Sequence, residues 1–322
     1  MLGWFRHWAR RALVPGGLVL TLVAAGLLHA SDMRSARTRL AEGVEVLPTR
    51  HGPVAFLRWG EGPAVLVIHG AGGGHDQGRL IADAYLGPGF SVVAPSRFGY
   101  PGSPLPPDAS TEAQAEALAD LLDGLGHDRV MMLAMSGGVP PALQFARLHP
   151  ERTEALALVS AAPFTPLGLG DQALPVPGWA YELLFAGDLP FWLLARLRPR
   201  MLLELFDADP GVHPPASAEE AAFVDALTAS FLPATARKAG LGNEVAAVDP
   251  HATPLPGAIG APTLVVHARD DALAPFATAR FLADSLPGAS LVVFDRGGHL
   301  LIGHMAETRA RVRAHFARHR GD

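Results

Sequence analysis

Val130-Met131-Met132-Leu133-Ala134-Met135-Ser136-Gly137-Gly138 is an apolar, strand-like run that ends in a small-residue turn carrying one serine. A helix-like segment, Pro140 to Leu148, follows at once. A strand that breaks into a tight turn and then a helix lifts a serine oxygen above the sheet edge, the layout of a nucleophile elbow. The usual pattern is G-x-S-x-G. Here alanine stands at the first glycine position, in Ala134-Met135-Ser136-Gly137-Gly138. Alanine is small enough for close helix–strand approach, so the departure is mild. The string is weak by itself, because small-x-Ser-x-Gly arises by chance in a chain with 35 glycines.

A serine hydroxyl needs a base within hydrogen-bond reach, and that base needs a third group to orient it. Among 14 histidines, His299 stands out. It closes Ser290-Leu291-Val292-Val293-Phe294-Asp295-Arg296-Gly297-Gly298-His299, a β-branched run followed by a glycine turn. His304 is the fallback, set inside the expected last helix. The orienting acid belongs between serine and histidine in chain order. Pro262-Thr263-Leu264-Val265-Val266-His267 reads as a buried strand, and Asp270 and Asp271 follow it. Neighbours in an extended turn point apart, so one of the two reaches the histidine. Asp271, four residues before Pro275, is the preferred one.

A third buried run, Val65-Leu66-Val67-Ile68, leads directly into His69-Gly70-Ala71-Gly72-Gly73-Gly74. Acyl transfer builds negative charge on a carbonyl oxygen, and fixed backbone N–H groups stabilise it. The expected donors of this oxyanion hole are Ala71 and Gly137, with Gly72 as a third candidate. A phosphate loop is the rival reading, and it fails. No G-x-x-x-x-G-K-[ST] string exists, and Lys238 is the only lysine. Dinucleotide binding fails as well, since the strand Phe90 to Ala94 does not end in an acidic residue.

With these residues in place, the chain resembles the α/β-hydrolase superfamily. The match rests on His69 to Gly74, on Ala94-Pro95-Ser96-Arg97-Phe98-Gly99-Tyr100-Pro101-Gly102-Ser103, on the Ser136 elbow, on Asp271 to Pro275 and on Gly297-Gly298-His299. It covers about residues 44 to 318. The resemblance implies an α/β fold: a mostly parallel eight-stranded sheet flanked by helices, with a helical lid between the sixth strand and the strand of the acid. It implies Ser136 as nucleophile, Asp271 as acid and His299 as base. A serine at the elbow argues against members whose nucleophile is an aspartate.

The 322 residues, 49% hydrophobic, suffice for one large α/β domain. Residues 1–40 hold six arginines against Asp32, so the remainder carries 20 basic and 30 acidic side chains. An acidic body offers no electrostatic footprint for nucleic acid. There is no cysteine and no H-E-x-x-H spacing, so thiol chemistry is excluded and neither metal nor cofactor is expected. Arg6, Arg10 and Arg11 precede Ala12 to Ser31, twenty residues without a formal charge. As a helix, Ala12 to Leu28 would span about 26 Å at roughly 1.5 Å per residue, a short crossing of a bilayer core about 30 Å thick. The expectation for residues 1–40 is an uncleaved, membrane-anchoring transmembrane helix. The alternatives are an exported chain whose signal peptide is cleaved near Leu28-His29-Ala30 and a loose twin-arginine signal at Arg10-Arg11.

Residues 41–322 then form the catalytic domain, in which strand-like and helix-like stretches alternate, the signature of a parallel sheet. Thr111 to Leu125 reads as an amphipathic helix, with Thr111 and Gln114 at capping-box spacing and Gly126 at its end. Between about 163 and 256 prolines become frequent among apolar helical pieces such as Phe191-Trp192-Leu193-Leu194. This is the expected lid, and its aromatics line an apolar pocket or merely pack it down. The first functional reading is a serine hydrolase of carboxylic esters acting on an apolar or acyl small molecule. Amide, lactone or carbon–carbon hydrolysis and cofactor-free perhydrolysis use the same triad. A catalytically silent scaffold that binds a ligand is the second class. Oligomeric state is not encoded in these patterns.

Overall fold

The computed structural model describes the backbone of residues 2–162, 178–246 and 258–320, with side chains for all of these except 2–18, 178, 181, 245 and 246. The chain divides into two compact units, Met1–Glu42 and Gly43–Asp322.

The first unit is one helix, α1, Leu2–Ala41. Among the described residues no helix is long and apolar enough to cross a membrane. The expected span Ala12–Ser31 falls in part on side chains outside the described residues. Past Ser31 the helix enters a polar segment carrying Asp32, Arg34, Arg37 and Arg39. The transmembrane anchor and the membrane localisation drawn from it are therefore corrected.

The second unit is built on eight strands: β1 Glu45–Thr49, β2 Gly52–Trp59, β3 Ala64–Ile68, β4 Ser91–Pro95, β5 Val130–Met135, β6 Thr153–Val159, β7 Thr263–Ala268 and β8 Ser290–Phe294. They form one sheet in the order β1-β2-β4-β3-β5-β6-β7-β8. The first two pairings, β1 with β2 and β2 with β4, are antiparallel, and all others are parallel. β5 and β7 are buried along their whole length, as expected of strands covered on both faces.

Successive β5 side chains go to opposite faces. Met132 and Ala134 join the core made with helices α3 (Thr111–Leu125), α4 (Val139–Leu148) and α10 (Phe276–Ser285). Met131, Leu133 and Met135 join the core made with α2 (His75–Tyr85) and α11 (Met305–His319). The cap of α3 lies one residue earlier than expected. Ser110 Oγ accepts the Ala113 N–H, while Gln114 Oε1 accepts the Phe98 N–H at 2.7 Å.

Registry decides where the site lies. Ile68 pairs with Ala134, Ala134 with Leu158, Leu158 with Val265 and Val265 with Leu291. This row lies at or near the carboxyl ends of β3, β5 and β6. Gly70 and Ser136 each lie two residues beyond it, just past the ends of the neighbouring strands β3 and β5. Between β6 and β7 the described residues form five α-helices: α5 Gly178–Leu184, α6 Asp188–Leu197, α7 Pro199–Leu205, α8 Ala218–Ser230 and α9 Lys238–Ala246. They occupy the expected insertion, whose margins at 163–177 and 247–257 lie outside the described residues.

Candidate active site

Ser136 follows β5 and opens a single 3-10 turn, Ser136–Gly138, that leads into α4. Its φ is 52°, a left-handed value that costs a non-glycine residue free energy and is found where a side chain must be thrust outward. Two glycines make the turn possible. A Cβ on Gly138 would lie 2.7 Å from the His69 carbonyl oxygen and closer still to that of Ile68. A Cβ on Gly70 would lie 3.1 Å from that of Ser136.

His299 and Asp271 meet. His299 Nδ1 donates to Asp271 Oδ2 at 2.9 Å and to Oδ1 at 3.1 Å. The carboxylate accepts only, which fixes the proton on Nδ1 and leaves Nε2 as the basic nitrogen. Asp271 Oδ1 also accepts the N–H groups of Leu273 and Ala274 at 2.9 and 2.8 Å, so its side chain is held although wholly buried. Burial works to raise the Asp271 pKa, but the charge of His299 and these hydrogen bonds outweigh it, and the net shift is downward. Burial works to lower the His299 pKa, but the charge and hydrogen bond of Asp271, with the charge of Asp207, outweigh it, and the net shift is upward. Among the described residues no hydrogen bond joins the Ser136 hydroxyl to the imidazole. Such bonds commonly tighten only with substrate in place.

Asp270 and Asp271 divide their work as neighbours in an extended turn must. Asp270 Oδ1 accepts the Gly298 N–H at 3.0 Å and fastens the glycine turn. A further carboxylate, Asp207, escaped the sequence reading. It follows α7 with a left-handed φ of 52°. Its Oδ2 accepts the backbone N–H groups of His299 and Ala272, each at 2.9 Å, and so ties the histidine turn to the acid turn. The buried His213 lies 3.2 Å from its Oδ1. No local signal marks Asp207, which reaches these turns from the insertion.

The glycine loop after β3, the expected oxyanion loop, is held from three sides. The Arg97 N–H donates to His69 Nε2, and His69 Nδ1 lies 2.7 Å from the Gly70 carbonyl oxygen. Both bonds form only with a neutral ring protonated on Nδ1. Burial first, and the charge of Arg97 next, push the His69 pKa well below its ordinary value. Arg97 Nε and Nη2 donate to the carbonyls of His69 and Gly70, each at 3.0 Å. From the insertion, fully buried Arg237 pairs with Asp76 at 2.8 Å and donates to the Gly73 carbonyl. Ala71 N lies 3.2 Å from the position a Cβ on Gly137 would take, so these two N–H-bearing segments adjoin. Gly72 differs from expectation. Its N–H donates to the Tyr100 hydroxyl at 3.1 Å and is already engaged. The Phe231 ring fills the space above Gly72, and it contacts Phe206 and Phe191 with ring centroids 4.2 and 5.9 Å away.

The family model for the alpha/beta hydrolase fold matches residues 63–303. The chain belongs to this family. Among curated relatives, 2-hydroxymuconate semialdehyde hydrolase of Pseudomonas putida is 29% identical over 268 residues, which cover 80% of this chain and 88% of that protein. An uncharacterized protein of Mycobacterium tuberculosis is 38% identical over 112 residues, and that match spans about a third of its length (33%) and 34% of this chain. Among solved structures, a membrane phospholipase A described as a bacterial virulence factor superposes with a TM-score of 0.63 at 25% identity, covering 97% of this chain and all of that one. The fold and the hydrolase relatives agree on the α/β-hydrolase family.

Proposed function

We propose that the chain is a serine hydrolase of carboxylic esters with an apolar acyl part. Ser136 attacks the ester carbonyl while His299 Nε2 takes its proton, and Asp271 keeps the imidazole in the required tautomer and stabilises its cation. The N–H groups of Ala71 and Gly137 receive the oxyanion. The alcohol leaves with the proton from His299, and a water activated by the same nitrogen then hydrolyses the acyl-enzyme. No step calls for a metal or cofactor. The observation that carries this reading is the 2.9 Å bond between His299 and buried Asp271, at the sheet edge where Ser136 holds its left-handed turn.

The helices between β6 and β7, within an insertion of about 163–256, act as the lid. Its Phe231 ring stands against the loop at Gly72, backed by Phe191 and Phe206, and furnishes an apolar wall, which favours acyl chains over polar ones. The membrane phospholipase A among the similar structures supports the same chemistry.

Carbon–carbon bond hydrolysis is the second reading, favoured by the 29% identity to a semialdehyde hydrolase over most of its length. A direct comparison separates the two. Purified enzyme is assayed on p-nitrophenyl butyrate and hexanoate and on a 2-hydroxy-6-oxo-dienoate. The ester reading expects turnover of both esters, with hexanoate preferred to butyrate. Selective cleavage of the dienoate with no ester turnover would replace it.

A further inference from the structure

Glu244, on α9, reaches across to the oxyanion loop. Its Oε1 receives Arg97 Nη2 and the Tyr100 hydroxyl in two short hydrogen bonds. Its Oε2 crowds the position a Cβ on Gly137 would take, a position that Ala71 N approaches to 3.2 Å. Arg97 and Tyr100 are buried, at 6% and 3% exposure, whereas the Glu244 side chain is 21% exposed. A carboxylate of the chain itself thus stands at the place the substrate carbonyl has to enter.

The receiving groups are built for a carboxylate. The Arg97 guanidinium is pinned by two carbonyls and lies 5.2 Å from the centroid of the Tyr100 ring, so its geometry is fixed before any anion arrives. Tyr100 accepts from Gly72 N–H and has its proton left to donate. Burial, and next the charge of Glu244, hold its pKa well above the ordinary value, so it remains a donor. A buried guanidinium without a counter-ion is costly, so the site favours an anion and draws one back whenever Glu244 is displaced.

We propose that Arg97 and Tyr100 form a carboxylate subsite beside the oxyanion hole that receives the acid product, and that Glu244 is its internal competitor. This rests on the ester reading for the nature of the product. A neutral ester displaces Glu244 from Gly137 on entering. Hydrolysis then leaves a carboxylate within reach of Arg97, and the return of Glu244 neutralises the arginine and expels the acid.

Butyrate binding tests this on protein that cannot turn over, so the result is independent of whether esters are the substrate. Calorimetry compares Ser136→Ala with Ser136→Ala/Glu244→Ala and with Ser136→Ala/Glu244→Gln, which keeps the shape of the side chain if the alanine variant does not fold. Both double variants bind butyrate about tenfold or more tighter than Ser136→Ala, the scale of one charge-assisted hydrogen bond. Butyramide, neutral and of the same shape, shows no such gain. Adding Tyr100→Phe removes most of it. Butyrate affinities within about twofold across the three proteins, or an equal gain for butyramide, would overturn the proposal. Loss of ester turnover with the butyrate gain intact would strike the ester reading alone.

Discussion

The Asp271 carboxylate, wholly buried, accepts the Nδ1–H of His299 at 2.9 Å and gives its other oxygen to two backbone N–H groups. The acid is thus rigid, and the imidazole is held by it. Asp271→Asn turns an N–H toward Nδ1 and favours the wrong tautomer. Ester kcat/KM is expected to fall about 10³- to 10⁴-fold with the fold retained. A steady-state assay beside a thermal melt checks this, and a loss under about tenfold would remove Asp271 from its assigned role.

Asp207 raises the His299 pKa through its charge while holding the histidine backbone. A general base acts when neutral, so a raised pKa moves the acid limb of the rate profile to higher pH. Asp207→Asn removes the charge while its side-chain oxygen still accepts the backbone N–H groups. The acid limb of kcat/KM is expected to shift to lower pH. A limb that stays in place would show Asp207 to be a structural tie only.

His69 is neutral in the fold and its pKa is depressed, chiefly by burial. The unfolded chain therefore binds a proton that the native chain refuses once pH drops below the ordinary histidine value of about 6.5. Stability then rises with pH through that window and falls on acidification. Denaturant titrations between pH 7 and 5 are expected to show a declining midpoint, with a smaller decline in His69→Gln. Equal slopes in the two proteins would refute the assignment.

Gly138 has φ −78°, which alanine adopts readily, so any cost of a side chain there is steric. The atoms in the way are backbone carbonyls of Ile68 and His69, which cannot swing aside. Gly138→Ala is expected to destabilise by about 2 kcal/mol or more and to depress activity by moving Ser136. Denaturant unfolding measures the first effect, and an unchanged midpoint would contradict it.

Much of this molecule is legible in its sequence, and the reason is periodic. Runs such as Val65-Leu66-Val67-Ile68 and Val130 to Met135 bury both faces, so they declare parallel strands without a partner in view. Once strands alternate with helices, Ser136, Ala71, Asp271 and His299 are bound to one sheet edge. Illegible pieces come from elsewhere. β1 carries Pro48 on an edge strand and lacks a clean alternation. Asp207, Arg237 and Glu244 arrive from the insertion, whose helices bear no register relation to the sheet, so nothing local announces their targets. The N-terminal reading failed differently: an apolar count predicted a span that no described helix is long and apolar enough to make.

Covalent capture of the nucleophile tests the central claim most directly. After incubation with a fluorophosphonate, the purified protein is digested and the adduct is located by mass spectrometry. One adduct on the peptide containing Ser136 is expected, lost in Ser136→Ala and strongly slowed in His299→Ala. Labelling that persists in Ser136→Ala, or native protein that takes up no probe, would contradict the account.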